Sequence, residues 1–86
     1  MGKITFTDRA WEEYLYWQSQ DKKTLKRINV ILKDIDRNKF DGIGKPEPLK
    51  SYEGCWSRRI DDVNRIVYKI SDDQIEIIQC KGHYDD

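Results

Sequence analysis

The sequence predicts an α+β domain in which two N-terminal helices pack on a twisted antiparallel sheet. Apolar residues recur at three- and four-residue steps in the first half of the chain, which is typical of amphipathic helices. The second half contains three short strand-like segments separated by polar turns, which is typical of an antiparallel meander. Helices on one face of such a sheet form a layered α+β domain. The chain has 86 residues, which is enough for one domain. We therefore predict a single domain that spans residues 1–86.

The predicted helices follow a short strand at residues 3–6. Thr7 is positioned to cap a first helix that runs to about residue 19, and Asp21 to cap a second helix from residue 22 to about residue 38. Because few residues separate the helices, we expect them to pair as an antiparallel hairpin. The side chains expected to face the core are Trp11, Tyr14 and Leu15 in the first helix and Leu25, Ile28, Ile31, Leu32 and Ile35 in the second.

A segment rich in glycine and proline, residues 41–48, separates the helices from the sheet. Its two glycines and two prolines oppose regular structure, so we predict a loop. Pro46 and Pro48 hold Glu47 extended between them. A side chain held in this way loses little backbone freedom when it binds a ligand. The strands predicted after the loop are Cys55–Ile60, Arg65–Ile70 and Gln74–Lys81.

The charges of the chain balance overall but are unevenly distributed. A formal net charge of zero argues against a simple nucleic-acid binder. Residues 22–50 nevertheless carry nine basic and four acidic side chains, and both flanking segments carry an acidic excess. For the cations early in this stretch, a solvated helix face is the simpler interpretation.

Four further cations fall inside the predicted strands: Arg58, Arg59, Arg65 and Lys69. Long cations on the open face of a sheet form a rigid surface for a polyanion. A solvent-facing sheet accounts for exposed charge as well, so both interpretations stay open. Strand alternation places Arg58 on the same face as Trp56 and Ile60.

The residue types that bind metals are few. His83 is the only histidine, and Cys55 and Cys80 are the only cysteines. They form no metal-ligand spacing, so we expect no metal and no cofactor. The imidazole of His83 suits proton transfer near neutral pH. The chain contains no apolar run of the ~20 residues that span a bilayer and no secretion signal. We therefore expect no membrane contact and a cytoplasmic location, where small buried cysteines stay reduced.

Five short segments occur in a specific order and spacing along nearly the whole chain. They are Trp11–Trp17, Gly44–Lys50, Trp56–Ile60, Asn64–Tyr68 and the pair His83-Tyr84. Together they resemble the YoeB/Txe toxins of the RelE superfamily. The resemblance implies a RelE-like fold, similar to that of the microbial ribonucleases.

The resemblance also implies a function. It implies a metal-independent endoribonuclease that is the toxin of a type II toxin–antitoxin system. Such a toxin enters the A site of the 70S ribosome, cleaves the bound mRNA by attack of the 2′-hydroxyl, and so inhibits translation. The implied partners are a cognate antitoxin of the YefM/Axe type and operator DNA, the latter only through the antitoxin complex. A homodimer is left open.

The resemblance further assigns roles to individual residues. Glu47 is the expected general base and Arg65 the phosphate-binding arginine. His83 is the expected general acid, and Tyr84 helps to place the substrate. The expected RNA-binding set consists of two residues that match the family, Lys50 and Arg59, and three further cations, Lys45, Arg58 and Lys69.

Two other functions stay open on the residues alone. One is a non-catalytic RNA- or DNA-binding module that uses the same basic sheet. The other is an interaction domain whose first helix binds a protein through Trp11 and Trp17, although helical periodicity favours the core for both. Substitution of Glu47 or His83 separates an enzyme from a binding module, because an enzyme loses cleavage while binding survives.

Overall fold

The computed structural model describes residues 3–83. Its elements are β1 (Lys3–Phe6), α1 (Asp8–Gln20), α2 (Lys22–Asn38), β2 (Glu47–Pro48), β3 (Cys55–Arg59), β4 (Arg65–Ser71) and β5 (Gln74–Gln79). Within this range the strands form a five-stranded sheet in the order β1-β5-β4-β3-β2. The two helices pack on this sheet, which confirms the predicted α+β class and its helix layer.

The sheet is mixed rather than wholly antiparallel. The pairs β2–β3, β3–β4 and β4–β5 are antiparallel, whereas β1 pairs with β5 in parallel. Tight turns join the antiparallel strands β3 to β5, but both helices and most of the sheet lie between β1 and β5 in the sequence. A long connection of this kind permits parallel pairing, which a hairpin turn does not.

Both predicted helix caps are confirmed. The Thr7 side chain accepts a hydrogen bond from the N–H of Ala10 at 3.1 Å, and the Asp21 side chain accepts one from the N–H of Thr24 at 3.2 Å. Each bond satisfies a backbone donor that the first helical turn leaves unpaired. A single residue, Asp21, separates α1 from α2, so the helices form the expected hairpin.

The core lies between α2 and the sheet. The predicted stripe of α2 is confirmed, with Ile28, Ile31, Leu32 and Ile35 all buried. Each such side chain contributes about 1.5–3 kcal/mol by leaving water. From the sheet side the core is completed by Ile60, Ile66, Tyr68, Ile75 and Ile77.

The predicted core stripe of α1 is wrong in part. Trp11 is 48% exposed and Leu15 is 38% exposed, whereas Ala10 and Trp17 are buried. The helix approaches the chain after β5 closely at Ala10, whose carbonyl accepts from the Cys80 thiol at 3.6 Å. Because a small residue lies at the centre of the contact, the large ring of Trp11 is displaced to its edge. Apolar periodicity predicts which face of the helix packs on the protein, but it does not predict which residue of that face is most deeply buried.

The strands differ from the prediction in four respects, one of which is that β4 extends one residue further, to Ser71. Glu47–Pro48, predicted as loop, forms the short edge strand β2 paired with β3. Proline is tolerated there because an edge strand needs no donor on its outer side. β3 ends before Ile60, and β5 ends before Cys80.

Both cysteines are buried free thiols, as predicted. Burial, with a smaller contribution from Glu13, raises the pKa of Cys80 to about 12. Between residues 3 and 83, neither helix combines the length and apolar character needed to cross a membrane.

Candidate active site

The sheet face that points away from the helices carries the candidate site, and we call it the open face. Strand register places Glu47 opposite Ser57 and Ser57 opposite Val67, so these three side chains share a row. The next row pairs Arg59 with Arg65. Paired residues of neighbouring strands point to the same side. The open face therefore holds the predicted base and the predicted phosphate-binding arginine together.

The side chains of Glu47 and Arg65 are in direct contact. Arg65 Nη1 donates to Glu47 Oε1 at 3.2 Å. The Arg65 side chain is 19% exposed and that of Glu47 is 54% exposed. The sheet fixes the arginine stem while solvent still reaches both charged groups. Two residues that are distant in sequence therefore form one accessible ion pair.

The C-terminal segment runs alongside the start of β4. The carbonyl oxygen of Gly82 accepts a hydrogen bond from the N–H of Arg65 at 3.1 Å. The N–H of Gly82 donates to Asn64 Oδ1 at 2.8 Å. His83 directly follows Gly82, the residue that is bonded to the Arg65 backbone. His83 is exposed. Tyr84, the predicted substrate-placing residue, lies outside the described residues.

Four of the five cations predicted to bind RNA are exposed. They are Lys45, Lys50, Arg59 and Lys69. Arg59 lies in the same row as Arg65, and Lys69 lies on the same open face, opposite Cys55 and Glu76. Their accessibility is compatible with contact to a polyanion, and their role stays a prediction.

Arg58 requires a correction. Its side chain has 0% exposure, so it does not reach an RNA bound at the surface. The guanidinium instead forms an ion pair with Asp34 of α2. Strand alternation explains the difference, because Arg58 points to the helix side of the sheet while Arg59 points to the open face.

The surroundings of Asp34 favour its charged form. Burial alone would raise the pKa of this carboxyl. Hydrogen bonds from Arg58, Asn38 and the Ile43 N–H outweigh burial and hold the pKa below its ordinary value of 3.8. The buried positive charge of Arg58 is therefore matched by a stable negative charge.

The sequence analysis did not single out Asp34 or Tyr68, the two side chains that bond Arg58. Tyr68 accepts from Arg58 Nε at 3.2 Å through its hydroxyl. The available signal was the position of Arg58 on the same strand face as two apolar residues. A charge on an apolar face requires a buried partner, although the pattern does not say which one.

Two glycines bring the chain close to this buried pair. A Cβ atom on Gly42, whose φ is +107°, would lie 2.0 Å from Asp34 Oδ2. A Cβ atom on Gly44, whose φ is +78°, would lie 2.9 Å from the carbonyl oxygen of Arg59. Residues with a Cβ atom rarely adopt such dihedrals, so both glycines are required by the path of the loop.

A cavity of about 250 Å³ adjoins the candidate site on the open face. It is lined by Arg9, Tyr52, Cys55, Val67, Ile78 and Gln79. Val67 belongs to the same row as Glu47, so the cavity and the ion pair are neighbours. Within residues 3–83, no group of three or more His, Cys, Asp or Glu side chains is placed to hold a metal ion.

Known proteins resemble this chain over almost its whole length. A toxin YoeB from Streptomyces coelicolor is 54% identical over 83 residues, which is 95% of this chain and 99% of the relative. The YoeB dimer from Staphylococcus aureus superimposes with a TM-score of 0.90 at 51% identity, covering 95% of this chain and 97% of the other. The toxin in the heterotetrameric YoeB–YefM toxin–antitoxin complex from the same organism gives a TM-score of 0.89 at 50% identity, covering 98% and 99%.

A family model described as the YoeB-like toxin of bacterial type II toxin-antitoxin systems matches residues 6–84. This span contains both helices and every predicted catalytic residue. It also contains the whole sheet apart from the first three residues of β1. The resemblance seen in five short segments therefore extends to the complete pattern of the chain. The chain belongs to the YoeB-like toxins of bacterial type II toxin–antitoxin systems.

Proposed function

We propose that this toxin is a ribosome-dependent endoribonuclease that cleaves mRNA in the ribosomal A site and so inhibits translation. One observation carries the proposal: the ion pair of Glu47 and Arg65 on the open face, beside the segment that leads to His83. A base, a phosphate-binding cation and an acid are the groups that cleavage of an RNA backbone requires.

The proposed reaction uses the 2′-hydroxyl of the RNA as its nucleophile. Glu47 takes the proton of this hydroxyl while its oxygen forms a bond to the adjacent phosphorus. Arg65 stabilises the negative charge that accumulates on the phosphate oxygens. His83 donates a proton to the 5′-oxygen as the bond from phosphorus to that oxygen breaks. The products are a 2′,3′-cyclic phosphate and a 5′-hydroxyl, and each proton transfer is typically worth about 10²–10⁴-fold.

The ion pair supports this division of roles. A guanidinium has five N–H donors, and the pair uses one of them at 3.2 Å. In the proposed complex, other donors of Arg65 bind two phosphate oxygens in the bidentate geometry that arginine favours. A phosphate bound there lies next to the Glu47 carboxylate, which is where the 2′-hydroxyl must lose its proton. The adjoining cavity gives a nucleobase of the message a place beside the reacting phosphate.

Dependence on the ribosome follows from the strength of the base. Carboxylates are weak bases toward a hydroxyl group. Positioning of the message by the ribosome supplies part of the rate enhancement that the base does not, because correct placement of reacting groups is worth several kcal/mol. The catalysis as proposed uses no metal ion.

We propose a YefM/Axe-type antitoxin as the partner of this toxin in the cytoplasm, with operator DNA bound only by the toxin–antitoxin complex. The Staphylococcus aureus relative that forms a heterotetramer with YefM supports the antitoxin. The relative described as a dimer supports a homodimer. Both relatives are about half identical to this chain and cover nearly all of it.

The test is cleavage of a defined mRNA on purified, programmed ribosomes. Wild type is compared with Glu47→Gln and with Glu53→Gln, which changes an exposed glutamate of the following loop as a matched control. We expect cleavage by wild type and Glu53→Gln, loss of at least about 10²-fold in Glu47→Gln, and products with 5′-hydroxyl ends. Wild-type protein that binds programmed ribosomes without cleaving the message would point to the non-catalytic binding module. Products with 5′-phosphate ends would overturn the chemistry, and equal rates on free RNA would overturn ribosome dependence.

A further inference from the structure

Three polar side chains from three elements form a cluster behind the candidate site, in which Arg58 and Tyr68 are fully buried and the Asp34 side chain is 18% exposed. They are Asp34 on α2, Arg58 on β3 and Tyr68 on β4, and we call them the anchor cluster. Arg58 lies between the other two, paired with Asp34 and bonded through Nε to the Tyr68 hydroxyl at 3.2 Å. These two partners leave several of the five guanidinium N–H donors for other acceptors.

Apart from a bond that Asp34 accepts from Asn38 Nδ2 at 2.8 Å, the cluster bonds the backbone of one segment, residues 39–43, which we call the anchored loop. Arg58 donates to the carbonyl oxygens of Asp41 at 2.5 Å and of Ile43 at 3.2 Å. It also donates to the carbonyl oxygen of Lys39 at 3.3 Å, which accepts a second bond from the Tyr68 hydroxyl at 2.9 Å.

Asp34 completes the recognition of the anchored loop from the helix side. It accepts a hydrogen bond from the N–H of Ile43 at 3.0 Å. The cluster therefore bonds three carbonyl oxygens and one N–H of the anchored loop. A fully buried guanidinium needs acceptors for its N–H donors beyond one carboxylate, and here three of those acceptors come from a single loop. The arrangement is that of a clamp on a specific loop conformation.

The anchored loop is connected to Glu47 by a segment of only three residues. Gly44 and Lys45 have φ angles of +78° and +50°, and the ring of Pro46 restricts its own φ. The carbonyl oxygen of Gly44 also accepts from the N–H of Arg59 at 2.7 Å. A shift of the anchored loop is therefore passed on to Glu47 rather than absorbed between them.

We infer that Arg58, held between Asp34 and Tyr68, is a positioning residue that fixes the anchored loop and thereby sets the place of the Glu47 carboxylate against Arg65. This inference rests on the proposed function of Glu47. It assigns Arg58 a task behind the site, with no contact to RNA. A displacement of about 1 Å in a reacting group costs on the order of 10²-fold in rate, so such a clamp has a measurable effect on cleavage.

The most informative variant is Tyr68→Phe, because it removes one hydroxyl group and leaves the packed ring in place. The loss removes one of the two bonds that the carbonyl oxygen of Lys39 accepts, and it leaves Arg58 Nε without the Tyr68 hydroxyl as acceptor. The matched control is Tyr14→Phe, which removes a tyrosine hydroxyl that donates to Asn29 Oδ1 at 2.7 Å between the two helices. Arg58→Lys provides a stronger perturbation that keeps a positive charge.

Cleavage is measured under single-turnover conditions on programmed ribosomes. For Tyr68→Phe we expect a rate constant at least about tenfold lower, with the half-saturating ribosome concentration changed less than about twofold. Tyr14→Phe should cleave at the wild-type rate. The same Tyr68→Phe change is then made in the Glu47→Gln background, where it should have no further effect. Damage to the fold as a whole would lower the rate in both backgrounds.

Amide hydrogen exchange by NMR gives a second readout that needs no catalysis. In Tyr68→Phe the amides of residues 42–47 should exchange faster, while those of β4 and β5 keep their wild-type rates. The inference is overturned if Tyr68→Phe cleaves at the wild-type rate, if its effect is equal in both backgrounds, or if exchange in residues 42–47 is unchanged. If wild type itself does not cleave, the proposed function fails, and the exchange data alone decide whether the cluster orders the Glu47 segment.

Discussion

Two arginines on neighbouring strands each pair with a carboxylate from elsewhere in the chain, yet the pairs differ in almost every other respect. Arg58 and Asp34 lie between the helices and the sheet, and Arg58 has no exposed surface. Arg65 and Glu47 lie on the open face, and more than half of the Glu47 side chain is exposed. The first pair is surrounded by further hydrogen bonds, while the second has solvent on one side.

The comparison indicates that a buried charged side chain serves the structure, whereas an accessible one is able to bind a substrate. A buried charge must keep its partners, because no solvent is available to replace them. An exposed pair gains little from its own contact, so it can exchange its partner for a substrate at small cost.

The largest effect is expected when the buried pair is broken. Asp34→Ala leaves the Arg58 charge without its anion and also removes an acceptor from the Ile43 N–H. We expect the free energy of unfolding to fall by about 3–5 kcal/mol, measured by urea denaturation. A loss below about 1 kcal/mol would show that the ion pair of Arg58 and Asp34 contributes no more to the free energy of unfolding than a surface pair does.

The next effect concerns Arg65, whose partner Glu47 is exposed, and it appears in activity. Arg65→Ala should lower cleavage on programmed ribosomes by about 10²–10³-fold, the usual result of removing a group that stabilises developing charge. Because the Arg65 pair is accessible, the urea midpoint should change little. Full activity in this variant would remove Arg65 from the proposed mechanism.

A pH dependence is expected for the stabilising effect of the Asp34 carboxylate. The pKa of Asp34 is lowered in the folded protein, so its stabilising contribution is complete above the ordinary value of 3.8 and is lost as the pH falls through the lower folded-state value. The stability advantage of wild type over Asp34→Asn should therefore be constant near neutral pH and shrink at pH values below about 4. An advantage that does not change with pH would contradict this assignment, and urea midpoints across the acid range provide the measurement.

The smallest effect is expected for the exposed carboxylate. Glu47→Gln should change the free energy of unfolding by about 0–1 kcal/mol, the range measured for surface ion pairs. Urea denaturation of the same protein used in the cleavage assay checks this value. A loss comparable to that of Asp34→Ala would mean that Glu47 is structural, and its loss of cleavage would then need another explanation.

Much of the fold was predictable because local rules govern it. Thr7 and Asp21 cap their helices as their side-chain chemistry predicts, and the α2 stripe follows from helical periodicity. The error at Trp11 has a physical cause, since periodicity identifies a face while close approach at Ala10 decides which residues occupy its centre. The parallel pairing of β1 with β5 joins strands at the two ends of the chain. No local turn motif links them, so the sequence does not indicate that they pair.

The candidate site shows the same limit. The order of residues is enough to establish that Glu47 lies between two prolines, that cations fall inside the predicted strands, and that Arg58 falls on an apolar face. Tertiary structure alone decided that Glu47 meets Arg65, that Arg58 is buried against Asp34, and that Tyr68 joins them to the anchored loop. Such contacts join elements that are distant along the chain, and only the packing of helices on a sheet of defined register brings those elements together.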